Sequence, residues 1–203
     1  VASTPLLLVV HPSFPAATVP QLIELARSRK SALNFASPGV GSIGHLAGEL
    51  LKFTTKIPLE HVPYKGGGPA LIAAAGSQIE LLFSTLPTAY AQVRAGRLRA
   101  VGVTSAKRSA IAPQVPTIAE QGLANFEVVT WIGMFAPAAT PQAIVNLLNA
   151  KVNKSLAAEQ IREHFLANGV EAEGGTPRQF ADQVRRDVKN WSAMAAQARI
   201  EMQ

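Results

Sequence analysis

Apolar and polar positions along this chain alternate between two periods. The apolar run 6–11, closed by Pro12, has the length of a buried strand, and over 19–29 the residues Leu22, Ile23, Leu25 and Ala26 form a helical stripe. Residues 34–37 read as a second strand, stopped by Pro38 and Gly39. From Ser42 onward Ile43, Leu46, Ala47, Leu50, Leu51 and Thr54 repeat at three and four, which predicts a helix buried along one side. His61 and Val62 open a strand that Pro63 ends, 69–75 reads as a helix closed by Gly76, and 79–83 is a continuous apolar strand. A helix over 88–95 with Gly96 at its C-cap and a strand over 98–104 complete the series. Strand and helix taking turns with short crossovers predict an α/β lobe, a mostly parallel sheet flanked by helices.

Beyond Ser105 the pattern changes. Pro113, Pro116, Pro137 and Pro141 punctuate a loop-rich stretch around one strand, 128–135; two long helical patterns follow, 141–167 and 177–200, separated by a short extended piece at 170–173. Thr140-Pro141 and Thr176-Pro177 each pair an N-cap residue with proline at the first helical position. Ile144, Leu147, Leu148 and Val152 on the first helix, and Phe180, Val184, Val188 and Trp191 on the second, make apolar stripes that need a surface to cover. The lobe upstream is already self-contained, so the expected division is 1–128 for the α/β lobe and 129–203 for the crossover strand and C-terminal helices. With such stripes unsatisfied, the chain is expected to associate with copies of itself through these helices.

Composition narrows the classes. With 203 residues, 48% hydrophobic and 16% charged against an ordinary ~25%, the chain is a folded protein and not a disordered one. It has no cysteine, so no disulfide holds it, and that absence fits either a reducing or an exporting compartment. The net charge of +6 raises nucleic acid as a partner, but no basic run exceeds two residues and only 6% of the chain is aromatic. Neither a phosphate-tracking stripe nor a stacking platform is present, so no nucleic-acid partner is expected and a small anion suits the charge better. No stretch reaches the ~18 apolar residues of a transmembrane helix. The opening residues lack the basic and apolar regions of a signal peptide and there is no initiator Met, so the chain reads as the processed or trimmed product of something longer.

The most informative stretch is 37–45, Ser-Pro-Gly-Val-Gly-Ser-Ile-Gly-His. Its glycines free the backbone after a strand and Ser42 stands where a helix begins, so amides and a hydroxyl converge at the positive end of a helix dipole, an arrangement that binds anions. The Gly41, Ser42 and Ile43 amides are the expected donors. Gly39, Gly41 and Gly44 also satisfy G-x-G-x-x-G, which keeps a nucleotide-dependent enzyme open as the alternative. That fingerprint wants an acid closing the next strand, and here Tyr64 and Lys65 stand there, while Glu60 lies at the strand's beginning. A hydrolase elbow would need glycine where the chain has Val40. His11, His45, His61 and His164 show no metal-ligand spacing and no carboxylate cluster, so no metal, cofactor or catalytic machinery is expected. Two more strand-to-helix junctions, Tyr64-Lys65-Gly66 and Ser84-Thr85, fall at strand C-terminal ends, where ligands of open α/β sheets sit.

In order, the segments NFASPGVGSIGHL (34–46), HVPYKGGGPA (61–70), AGRLRAVGVTS (95–105) followed by Arg108, VPTIAEQG (115–122) and WIGMFAPAATP (131–141) resemble the periplasmic substrate-binding receptors of tripartite tricarboxylate transporters, the Bug-type receptors. The resemblance runs through nearly the whole chain. It implies a type II periplasmic-binding-protein-like fold, two lobes closing on a small organic carboxylate, no catalysis, a periplasmic location and delivery to membrane permease subunits. Carried onto this chain, it implies a ligand site of Ser37, Gly39, Gly41, Ser42 and His45, faced by Tyr64, Lys65 and Gly66, with Ser84 and Thr85 beside them. Many members resemble one another in carrying Asp where this chain has Ser84, and a neutral residue there argues against a ligand with an ammonium group. The first lobe of such receptors has no counterpart here, so the chain is expected to be an N-terminally truncated form: lobe two plus the C-terminal helices that normally pack on lobe one.

Overall fold

Strand β1 (Ala2–Val10) is almost wholly buried from Thr4 to its end, as expected of a continuous apolar run covered on both faces. The computed structural model describes residues 1–200 and divides into two units: 5–129 joined by residues from 194 onward, and 1–4 with 130–193.

In the first unit, β1 is followed by α1 (Val19–Ser28), whose N-cap Thr18 accepts the Gln21 N–H. Then come β2 (Leu33–Ser37), α2 (Ile43–Thr55), β3 (Leu59–Pro63), α3 (Gly67–Ala75), β4 (Leu81–Thr85), α4 (Leu86–Arg94) and β5 (Arg99–Val103). The strands lie in the order β3-β2-β4-β1-β5. β2 runs parallel to β3, Phe35 opposite His61, and parallel to β4, Phe35 opposite Leu81. β1 runs antiparallel to both its neighbours, pairing Leu7 with Ser84 and with Val103, and its register with β5 shifts between Leu8 and Val9. The sheet is therefore mixed, not mostly parallel. Strand direction escapes the pattern because a strand buried on both faces reads as the same apolar run whichever way it points. After β5, the segment to Val129 returns along its end: Val103 N–H donates to Pro116 O and Val128 N–H to Thr104 O.

The second unit holds β6 (Val129–Ile132), α5 (Gln142–Leu156), α6 (Glu159–Ala167), β7 (Glu171–Ala172) and most of α7 (Pro177–Gln197). β7 pairs with the start of β1, Ala2 opposite Ala172. The single helix expected over 141–167 is two helices. Ala158 is extended and breaks the ladder just after Leu156, the one buried residue of α5, and the apolar period resumes too soon for a two-residue break to show. Thr140 does not cap α5, for Pro141 occupies that position; Thr176 does cap α7, accepting the Gln179 N–H while Gln179 Oε1 accepts the Thr176 N–H. Neither α6 nor α7 has a buried residue, and Leu147 and Val188 are 53% and 62% exposed. An open cavity of about 610 Å³ lies within this unit, lined among others by Trp131, Phe135, Val145, Leu148, Phe180 and Val184. Residues 201–203 of the segment 129–203 lie outside the described residues.

Candidate functional site

Because β2, β3 and β4 are parallel neighbours, the loops after them leave the sheet at one edge and lead directly into α2, α3 and α4. Three helix N-termini, with the partial positive charge each carries, therefore gather there. Backbone bonds join the loops: Tyr64 N–H donates to Ser37 O at 3.0 Å and Gly66 N–H to Pro38 O at 2.9 Å. At Gly44 an added Cβ would stand 2.8 Å from Phe83 O, so glycine there lets the first turn of α2 lie against the end of β4. Gly41 (φ +74°) and Gly66 (φ +106°) occupy backbone that other residues rarely adopt.

The loop from β2 to α2 is tied by its own side chains. Ser42 caps α2, accepting the His45 N–H at 3.3 Å, and its hydroxyl donates to Gly39 O at 2.7 Å. Gly41 N–H donates to His45 Nδ1 at 3.1 Å. Ser37, fully buried, bonds through its hydroxyl to Gly39 O at 2.9 Å and to His61 Nε2 at 2.7 Å. The His45 and His61 rings stack with centroids 3.6 Å apart and planes within 11°, and Phe35 closes against both. Burial lowers the pKa of His45, with Lys52 adding to the effect; burial and then His45 hold His61 down at about 4. Glu49, 3.9 Å from His45 Nε2, is pushed up by burial against the pull of Lys52.

All ten residues expected from the sequence fall on this edge or in the loops that leave it, and the structure divides their work. The Ser37 hydroxyl and His45 Nδ1 are engaged inside the protein, so both residues shape the loop, while His45 Nε2 faces Glu49 at 3.9 Å. Of the three amides expected to meet an anion, Gly41 donates to His45 and Ser42 to Gly39 O; Ile43 remains free and Gly44 joins it among the described residues. At the start of α3, which has no side-chain cap, the Gly67 and Gly68 amides likewise have no partner among the described residues. Lys65 is exposed, Tyr64 is half-buried against the core and Ser84 is buried at the end of β4. Thr85 stands before α4, its hydroxyl bonded to that of Thr88. His61, Glu49 and Phe35 were not anticipated. The one signal was a histidine inside a strand opposite the strand of the glycine loop, and its partner could be found only once β2 and β3 were in register. Among the described residues no group of three or more metal-ligating side chains gathers, and no helix is long and apolar enough to cross a membrane.

The family description "Tripartite tricarboxylate transporter family receptor" matches residues 1–199. The protein from the tcbD-tcbE intergenic region of a Pseudomonas species is 37% identical over 98% of this chain and 60% of its own length. Among solved structures, "R. palustris Rpa4515 with adipate" is 35% identical with a TM-score of 0.85, covering 98% of this chain and 67% of that one. MatC from Rhodopseudomonas palustris, solved with bound malate, is 30% identical with a TM-score of 0.77, covering 95% and 67%. The chain spans 60% of the length of that Pseudomonas protein and likewise of BugT of Bordetella pertussis, to which it is 31% identical over 96% of its own length.

Proposed function

We propose, since this chain belongs to the tripartite tricarboxylate transporter family of receptors, that its α/β unit carries the ligand-binding wall of a solute receptor for a small organic carboxylate. One observation carries the reading. Among the described residues, unpartnered amides of Ile43, Gly44, Gly67 and Gly68 stand at one end of the parallel strands, on two helix starts whose loops the Gly66–Pro38 bond ties together. Oriented N–H groups at the positive ends of helices suit a carboxylate and need no metal or cofactor. Relatives solved with adipate and malate agree with that chemistry. Lys65 adds positive potential and Ser84 leaves an ammonium without a charged partner, so the ligand is a mono- or dicarboxylate rather than an amino acid.

In this reading residues 1–128 act as the second lobe of a two-lobed receptor and 129–203 as the part that packs on a first lobe. The apolar surface left on α5 and α7 supports that division. The receptor is periplasmic, as the solved protein BugD is, and delivers its ligand to membrane permease subunits. The same exposed apolar faces would let those helices join copies of this chain to one another. The nucleotide-dependent enzyme fits less well, because β3 is followed by Tyr64 and Lys65 where a ribose-binding acid belongs.

Titration calorimetry with adipate, malate, glutamate and NAD tests the reading. Adipate or malate is expected to bind and glutamate and NAD are not; saturable binding of NAD, or of glutamate better than either dicarboxylate, would overturn it.

A further inference from the structure

We propose that His45 and His61 are positioning residues of the anion-binding loop: a stacked pair of neutral rings that holds its shape, His45 by accepting the Gly41 N–H on Nδ1, and His61 by pinning Ser37. The inference deepens the receptor reading, on which it rests, by adding how the site is regulated: acid that protonates His45 opens the loop and releases the carboxylate.

An Nδ1 that accepts from Gly41 carries no proton, so the neutral ring keeps its proton on Nε2, directed at Glu49. Protonation of Nδ1 would set two donors, the ring N–H and the Gly41 N–H, against each other across 3.1 Å. Gly41 is the left-handed pivot of the loop, immediately before the cap Ser42, so losing its tether frees the turn that presents Ile43 and Gly44. The stack reinforces this, because two cationic rings 3.6 Å apart in a half-buried site repel. His61 in turn reaches Ser37, whose hydroxyl bonds to Gly39 O, the oxygen that also takes the Ser42 hydroxyl. One chain of bonds thus runs from strand β3 to the start of α2.

The charged groups around the pair are few. On α2, Glu49 faces His45 Nε2 and would favour a cation, while Lys52 opposes one. Burial raises the Glu49 pKa, which weakens its support as pH falls. From β2 the uncharged Phe35 and Ser37 meet the rings, Glu60 alternates to the other face of β3, and neither β4 nor α3 carries a titratable side chain.

Two variants of the full chain decide the matter. His45→Asn places a carbonyl oxygen near the position of Nδ1 and cannot titrate; His45→Phe keeps an aromatic ring and removes the acceptor. Hydrogen exchange followed by NMR reads the protection factor of the Gly41 amide without any ligand. At pH 7 the wild type and His45→Asn are expected to protect it, and His45→Phe about tenfold less. Between pH 7 and 4 the wild type should lose about tenfold in protection while His45→Asn holds. Equal protection in His45→Phe and wild type, or parallel acid loss in wild type and His45→Asn, would overturn the inference. Should His45→Phe fail to fold, the comparison of wild type with His45→Asn still decides. Calorimetry with adipate adds the functional arm: the affinity ratio of His45→Asn to wild type, in which the ligand's own titration cancels, should rise about tenfold from pH 7 to 4.5. Adipate binding to neither protein at pH 7 would defeat the carboxylate reading while leaving the exchange result to judge the pair.

Discussion

Gly48 matters for the space it leaves. A Cβ there would stand 2.1 Å from Phe35 Cε2, and Phe35 is fully buried with its ring against both histidines. Gly48→Ala is expected to cost about 1–3 kcal/mol in denaturant unfolding, the usual range for overpacking, and to weaken carboxylate binding with it. Ser42 predicts the opposite separation of stability from binding. Ser42→Asp retains an N-cap acceptor for the His45 N–H, so the fold should persist, but it cannot donate to Gly39 O and it sets a fixed negative charge beside the Ile43 and Gly44 amides. Circular dichroism should show an unchanged melting profile within a few degrees and calorimetry no adipate binding; undiminished affinity would show that the anion sits elsewhere.

At the scale of elements, the candidate site depends on parallel β2 and β3 ending level, Ser37 opposite Pro63, on β4 running on beside them to Thr85, and on β3 and α2 being held together across the His61–His45 stack. That link has a pH signature. Folded, His61 stays neutral down to about 4, whereas in the unfolded chain it takes up its proton near the ordinary histidine value of 6.5. Between those values the unfolded state binds more protons, so this contribution to stability is full above 6.5 and is lost as pH falls toward 4; His45, shifted the same way, adds to it. Thermal unfolding should accordingly show a melting temperature falling across that window, and His61→Phe, which removes the titration, should flatten the fall. Much of this level could be read from the chain: the glycine loop, the cap Ser42 and the strand-to-helix junctions all stand where the pattern placed them. The direction of β1 and the break at Ala158 could not be read, because apolar periodicity records burial and not orientation, and a two-residue interruption barely disturbs its phase.

The whole molecule leaves one half less covered than the other. In the α/β unit β1, β2 and β4 are largely buried; in the second unit Ile144, Leu147 and Leu148 are each about half exposed, beside the open cavity of about 610 Å³. Light scattering at micromolar concentration is expected to find a dimer or larger assembly, and the double change Leu147→Glu with Leu148→Glu should return it to a monomer without altering adipate binding. A wild-type monomer would show that these faces need no partner.

By itself the sequence determined the α/β class, the three glycine-rich or hydroxyl-bearing junctions and the neutrality at Ser84, since each depends on residues adjacent in the chain: burial period, turn chemistry, the presence or absence of charge. Tertiary structure alone decided which donors remain for a ligand. Gly41 and Ser42 look free along the chain, yet a ring four residues on and an oxygen three residues back take their amides. His45 and His61, sixteen positions apart in sequence, become one stacked unit only when β2 and β3 pair in register with Phe35 opposite His61. Hydrogen-bond satisfaction is settled by distances in space, and a local pattern does not contain them.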